Sequence, residues 1–494
     1  MIEAAGTAPP SGSPPGVRPG WVLAATSLAA LSATVMGTAV TVVLPTLVTV
    51  LDAPFATVQW VVIAYLLASI ALLPVIGRLA DLWGKRRVFL IGYAAYGLGS
   101  LACALAPDVA TLIAFRTVQG VGSAALTALG LAIVTDVFPA RERGRALGIN
   151  GAVISAGIVL GPSLGGLLGD LASWRWIFVV GVAISVVGAL LASRVLPRST
   201  PQRGGRFDVA GGLLVVAALL TFSLGLTLGQ GLGFAAPVVL ALIGVSIALG
   251  AAFVAVERRV AQPIVDLRLF RERDVWVGLA SGATTFVSIA GVIFLMPFYL
   301  EGVLGHPAWF VGLLMAVVPC VLVVAAPVAG ILADRIGPRP VTVAGMALLV
   351  VGYFAVGTLG EQTTPLGYVL RFLPVGLGMG TFQTPNNTAI MSAARRGGSG
   401  VAGSLLSLTR YLGQVVGTVG LGSLWAARTV ARAGAEVGTD ATTLDAAAQV
   451  AGLGDLLRVV QALVLFGLAL VVVDLVRGRR VRAAVDGGTV VKRS

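Results

Sequence analysis

The chain has 494 residues, 57% of them hydrophobic and only 11% charged, with a mean hydropathy of +0.97. Soluble domains are roughly one-quarter charged, so a soluble enzyme or a nucleic-acid-binding domain is excluded and a polytopic membrane protein remains. The formal charge of +13 does not reverse this: of 34 Lys and Arg, 27 fall in segments assigned below to the cytoplasm, three within spans and four on the outer side. That asymmetry is membrane topology. Cys103 and Cys320 both sit in apolar runs far apart in sequence, and read as core-filling thiols rather than a disulfide or a metal pair.

Residues 1–22, rich in Pro, Gly, Ser and Ala, predict a disordered cytoplasmic tail with no cleavable signal segment. Fourteen apolar stretches then follow, near 23–48, 56–79, 88–106, 109–135, 146–169, 174–194, 209–229, 235–256, 276–300, 309–333, 341–359, 365–393, 400–425 and 454–476. Each is long enough to cross a bilayer. An even count puts both termini on one side, and the basic tail with Arg477, Arg479, Arg480 and Arg482 makes that side cytoplasmic. The polar, Ala-rich connection 426–453 carries no motif.

Two charged turns organise these spans. Gly77–Arg87, GRLADLWGKRR, returns 253 residues later as Gly330–Arg339, GILADRIGPR, with Gly, Leu, Ala, Asp, Gly and Arg recurring at six of ten positions. Arg116 and Arg371 begin Gly-rich segments 255 residues apart. A repeated loop in a repeated membrane half is the mark of a secondary transporter. The expected fold is therefore all-α, with two pseudo-symmetric six-helix bundles at 23–196 and 276–477. A linker at 197–275 carries two extra transmembrane helices, and a basic tail occupies 478–494.

In the fifth span, Gly157, Gly161, Gly165 and Gly169 recur every four residues, a spacing that lets helices pack backbone to backbone. Pro162 lacks an amide hydrogen and bends the helix. No Asp or Glu lies in the middle of a span; Asp136, Glu301 and Asp474 come nearest, each close to an end. The interior charges are Arg116, Arg371 and Arg410. A charge in a span costs at least ~2.5 kcal/mol, so it faces a cavity or a partner. Either these arginines line the solute cavity with Gln119, or they are structural, bonded to carbonyls or to Gln119, Gln383, Asn386 and Gln414.

The repeated loop resembles the loop signature of the major facilitator superfamily, and the Gly157–Gly165 phrase resembles that superfamily's antiporter signature. SWRWIFVVG at 173–181, RTVQG at 116–120, FPARERGRALG at 138–148 and RFDVAGGLL at 206–214 extend the resemblance to the fourteen-span drug/proton antiporters of the EmrB/QacA type. The resemblance implies proton-driven export of drug-like compounds by alternating access across the bacterial inner membrane. It also implies gating loops built from Gly77, Asp81, Gly84, Lys85, Arg86, Asp136, Gly330, Asp334, Gly337 and Arg339, with Asp136 pairing Lys85 or Arg86. The sequence departs from the family at VMGTAVTVVLP, where Met36 stands in place of an acid and Thr41 in place of an Asn.

With no mid-span carboxylate, the expected solutes are neutral or anionic. The proton carrier stays open between a carboxylic solute, Glu301 and His306. HExxH, P-loop, complete GxGxxG and Cys/His patterns are absent from the sequence, so an enzyme is not expected, nor a cofactor. The expected partners are a small solute, protons and lipid, with the chain working as a monomer. A metabolite uniporter or importer, and a ligand sensor on the same fold, are the competing readings.

Overall fold

The computed structural model describes residues 18–197, 209–260, 272–393 and 399–490. The tail at 1–17, the linker segments 198–208 and 261–271, the loop 394–398 and residues 491–494 lie outside the described residues. So do some side chains within helices, including Asp81 and those from 478 to 490. All regular structure among the described residues is helical, as a bilayer requires of a chain that must satisfy its own backbone.

Eight helices form the N-terminal half: α1 Pro19–Val42, α2 Leu44–Val50, α3 Phe55–Val58, α4 Trp60–Trp83, α5 Lys85–Ala104, α6 Val109–Val137, α7 Ala140–Leu171 and α8 Arg175–Val195. A pair follows, α9 Val209–Leu232 and α10 Pro237–Glu257. The C-terminal half comprises α11 Arg273–Pro297, α12 Ala308–Met315, α13 Val317–Ile336, α14 Pro338–Val356, α15 Pro365–Ala393, α16 Ser399–Val416, α17 Gly422–Ala433 and α18 Ala446–Val490. π-helical turns at Phe298–Val303 and Gly417–Leu421 extend α11 and join α16 to α17.

Twelve of the described helices are long and apolar enough to cross a membrane, against the fourteen stretches counted in the sequence. The two that do not enter this count are the most polar. They are α15, which holds Arg371, Gln383, Asn386 and Asn387, and the run from α16 through α17, which holds Arg410, Gln414, Arg428 and Arg432.

Helix ends that carry residues 84, 138–139, 196–197 and 337 form what we call the near end. Those that carry 51–54, 105–108, 172–174, 304–307, 357–364 and 434–445 form the far end. Within the N-terminal half α1 packs on α7, α6 on α4 and α5, and α5 on α8. The C-terminal half repeats the scheme, with α15 on α13 and α14, and α11 on α16 and α18. The repeat extends to single glycines. Gly92 and Gly99 bring α5 against α6, and Gly345 and Gly352, each 253 residues on, bring α14 against α15. A methyl group at any of the four would lie 2.4–2.7 Å from the facing helix.

The pair α9 and α10 stands apart. On α10 only Val239 and Glu257 are buried, whereas α9 touches α4 of one half and α16 and α17 of the other.

The repeated turns close in the same way. Gly84 links α4 to α5 at φ 89°, ψ 137°, and Gly337 links α13 to α14 at φ 89°, ψ 155°. A side chain in this region costs about 1–3 kcal/mol, which explains the glycine at both places. Gly84→Ala and Gly337→Ala are each expected to lower the heat-denaturation midpoint in detergent; unchanged midpoints for both would contradict the strained-turn assignment.

Candidate functional site

Arg116 is fully buried inside the N-terminal half. Its Nε donates to the Val61 carbonyl at 2.9 Å and its Nη1 to Gln119 Oε1 at 2.5 Å, while the guanidinium lies 4.2 Å from the centre of the Tyr65 ring. Gln119 Nε2 continues the chain to Ser100 Oγ at 2.7 Å, and Tyr65 OH meets Ser123 Oγ at 2.6 Å. Charge-assisted bonds return about 1.5–3 kcal/mol each and a desolvated cation–π contact about 2 kcal/mol. Together these offset an insertion cost of about 2.5–3.5 kcal/mol. Arg116 is thus held without a carboxylate, and with no surface exposed it does not reach the space between the halves. Met36 is buried in the same cluster: a methyl group at Gly181 would stand 3.1 Å from both the Met36 sulfur and the Ser100 hydroxyl.

Arg410 is placed differently. It is half-buried on α16, and its one ring contact is Tyr411, 5.2 Å away. Among the described residues it makes no hydrogen bond or ion pair. Such a contact contributes about 0.5–1 kcal/mol, too little to hold a charge in a span, so the guanidinium needs water or a ligand. The helix supplies the direction. Leu408, Tyr411, Leu412 and Val415 pack toward α4 and α9, and Gly413 and Gly417 press on Phe286 and Val287 of α11. Ser407, Arg410 and Gln414, at i, i+3 and i+7, share the remaining face. All three side chains on that face are half-buried.

Arg371, grouped with the cavity residues on sequence grounds, lies instead at the far end. Its Nε donates to Thr358 Oγ1 at 2.8 Å and its Nη1 to the Gly367 carbonyl at 2.9 Å, on the wall of an open hollow of about 310 Å³. It sits in the first turns of α15, which begins there. Arg116 stands equally early in α6, so the 255-residue offset gives the two arginines matching helix positions but not matching burial.

The halves are joined at the far end. The stripe Gly157, Gly161, Gly165 and Gly169 faces α1 of its own half, where added methyl groups would meet Thr34, Thr38, Ala39 and Val43. The neighbouring face of α7 meets α12 of the other half. A methyl at Gly166 would lie 2.1 Å from the Ala308 carbonyl oxygen, and one at Gly312 would lie 2.3 Å from that of Pro162. Phe55 inserts between Phe298, Trp425 and Phe294, at centroid distances of 5.1, 5.1 and 5.9 Å.

Among the described residues the hydrogen bonds between the halves are both here: Phe55 N to Asp440 Oδ2 at 2.7 Å, and Thr46 Oγ1 to Glu301 Oε1 at 3.5 Å. The second oxygen of Glu301 is buried with no partner among the described residues, as is His306 Nε2. The connection 426–453, without a motif in sequence, contributes Asp440 to this seam and folds into the end of α17 and a 3₁₀ turn at Ala441–Thr443.

At the near end Lys85, Arg86, Arg273 and Arg339 each make a charged contact inside their own half. Lys85 Nζ stands 2.5 Å from Asp136 Oδ2, and Arg86 donates to the Ser193 carbonyl. Arg339 pairs with Asp274 and, at 3.0 Å, with Asp474, which also holds Arg273 at 2.9 Å. Asp334, Gly77 and Gly330 lie near these pairs in sequence; Asp334 is exposed, and the Asp81 side chain lies outside the described residues. Sequence reasoning missed Phe55, Gly166, Gly312 and Asp440. Only the small residues carried a signal, since Phe55 and Asp440 meet across 385 positions.

Twelve described helices of membrane-spanning length and apolarity, in two halves that repeat one packing scheme, give the architecture of an all-helical, multi-pass membrane transporter. Residues 26–418 match the Major Facilitator Superfamily, and the chain belongs to that superfamily. It is 34% identical over 370 residues to the multidrug resistance protein Stp of Mycobacterium tuberculosis, covering 75% of this chain and 69% of that protein. It is 31% identical over 400 residues to the riboflavin transporter RibZ of Clostridioides difficile, covering 80% and 85%. The multidrug transporter protein MdtP of Bacillus subtilis is 28% identical over 408 residues, covering 81% and 73%.

Among solved structures, the fold overlays a bacterial homolog of the human lysosomal transporter Spinster with a TM-score of 0.66 at 17% identity, covering 93% of this chain and 97% of that one. For a D-xylose–proton symporter the TM-score is 0.62 at 16% identity, covering 90% and 96%.

Gly312→Ala is expected to force α12 away from α7, so that spin labels placed at Asp52 and Gln362 report a longer far-end separation. An unchanged distance would remove the α7–α12 contact from the role given to it.

Proposed function

We propose that this chain exports drug-like small molecules from the bacterial cytoplasm by proton antiport, alternating access between its two halves. The far end is the external face, so both termini are cytoplasmic, and the closed seam there makes this a state open toward the cytoplasm. Counting α15 and the α16–α17 run as spans gives fourteen, in keeping with the EmrB/QacA type and with α9 and α10 as the additional pair. The multidrug names of Stp and MdtP support export, as does the small-residue face of α7 packed against both α1 and α12.

The observation that carries the solute class is Arg410, a half-buried cation on the polar face of α16 with no carboxylate partner among the described residues. It favours neutral or anionic solutes, because a lipophilic cation meets a like charge there and no acid to offset its desolvation. Arg116 and Met36 shape the wall behind that space, and Arg371 belongs to the external surface. Glu301, at the seam with one carboxylate oxygen out of contact, is the carboxylate best placed to take a proton, with Asp170 its charged neighbour. Lys85–Asp136 and Arg339–Asp474, each inside one half, with Asp81 and Asp334 in the repeated turns, shape the internal gate; the exposed Lys85–Asp136 pair contributes only about 0–1 kcal/mol, whereas the Asp474 carboxylate is buried. RibZ supports a second reading, movement of a flavin-like metabolite by the same route.

In inverted membrane vesicles holding a preformed pH gradient, carboxylic or neutral drug-like compounds are expected to collapse the gradient. Arg410→Ala should weaken the response to carboxylic compounds by about tenfold or more, the equivalent of a single charge-assisted contact of about 1.4 kcal/mol. Collapse by cations alone would overturn the solute class. Asp81→Asn is expected to insert normally and to abolish export; normal export would reduce the repeated turn to a topology signal.

A further inference from the structure

The seam contains a contact that lies wholly outside the lipid-spanning segments on one side and just at their edge on the other. Asp440 sits in the connection between α17 and α18, and its carboxylate is shared. Oδ1 accepts from Thr442 N and Thr442 Oγ1, both at 2.8 Å, ordering its own turn. Oδ2 reaches the other half and accepts from Phe55 N at 2.7 Å. That amide follows Pro54 and opens the short helix α3, so the helix offers it no partner.

The Phe55 ring is enclosed at the same time by Phe294, Phe298 and Trp425 of the C-terminal half. The connection is itself fixed to that half. Trp425 Nε1 donates to the Gln449 carbonyl at 3.2 Å, and Gln449 Nε2 donates to the Leu444 carbonyl at 2.8 Å. The loop that delivers Phe55 is strained. Asp52 has φ 47° and is the one non-glycine residue with positive φ among the described residues, a conformation that persists only where its surroundings hold it.

We propose that residues 434–445 form an external latch, in which Asp440 holds the Phe55 amide and thereby positions the Phe55 ring as the plug of the far seam. Asp440 moves with the C-terminal half and Phe55 with the N-terminal half, so opening the far end must break this bond. Water at the external surface can solvate both groups once they part, which leaves the net contribution of the bond small and the latch releasable on each cycle. Asp440 acts through Phe55 and is a positioning residue. The inference rests on the alternating-access reading given above, while its test reads the seam and needs no solute.

The experiment uses the full chain with Cys103→Ala and Cys320→Ala, carrying Thr46→Cys as a reporter inside the seam. In right-side-out vesicles, a membrane-impermeant maleimide added outside labels the half-buried reporter faster when the far end opens. Asp440→Ala is expected to raise the labelling rate several-fold. Asp440→Asn, which keeps an acceptor oxygen for the Phe55 amide, is expected to stay close to the background rate. Both proteins should elute as single species in detergent with unchanged denaturation midpoints, because residue 440 lies in a surface connection. Labelling of Asp440→Ala at the background rate overturns the latch, and so does equal acceleration in Asp440→Asn. Absence of gradient collapse with every compound would count against antiport and leave these labelling outcomes decisive for the latch.

Discussion

The structure depends on one close approach, that of α7 to α12 at the far end. The carbonyl oxygens of Pro162 and Ala308 stand where methyl groups at Gly312 and Gly166 would be, at 2.3 and 2.1 Å. Two helices from different halves touch backbone to backbone only when both offer glycine at the crossing. Phe55 and its aromatic cage then fill the neighbouring part of the seam. The described hydrogen bonds between the halves are both at this end, beside the glycine-lined crossing. Near-end ion pairs, kept inside each half, impose no comparable tie.

Charge placement follows the same division. Arg116 is held by a carbonyl, an amide and a ring, with Nη2 buried and without a partner among the described residues, and ties α6 to α4. Arg410 has no hydrogen bond or ion pair among the described residues and only the Tyr411 ring beside it. Met36, at a position where the resembling family has an acid, leaves the Arg116 cluster without a carboxylate among the described residues; of the two seam carboxylates, Asp440 is shared between the Phe55 amide and its own turn, while Glu301 keeps one buried oxygen without a partner among the described residues.

Much of this was legible in the sequence. The repeated turn Gly77–Arg87 and Gly330–Arg339 named the two halves, and the structure gives Gly84 and Gly337 the same positive-φ link. Hydropathy found the apolar helices, although α15 and the α16–α17 run are polar enough to escape a count by composition. Burial was not legible: the equal spacing of Arg116 and Arg371 put both in the second turn of corresponding helices and concealed a buried charge in one half and a surface charge in the other. Nor could sequence expose the pairing of Phe55 with Asp440, because a single backbone amide meeting a carboxylate 385 positions away leaves no pattern. Apart from the Gly-xxx-Gly spacing on α7, seam contacts between distant helices carry no local signal.

The most direct test of a transporter hinged at this seam is a reversible cross-link across it. With Cys103 and Cys320 replaced by Ala, Ser163→Cys on α7 and Trp309→Cys on α12 flank the Gly166–Ala308 contact, and a reducible dithiol linker can join them. Solute export should stop when the link forms and return when it is reduced. Undiminished export with the link formed in every molecule would contradict alternating access at the α7–α12 seam.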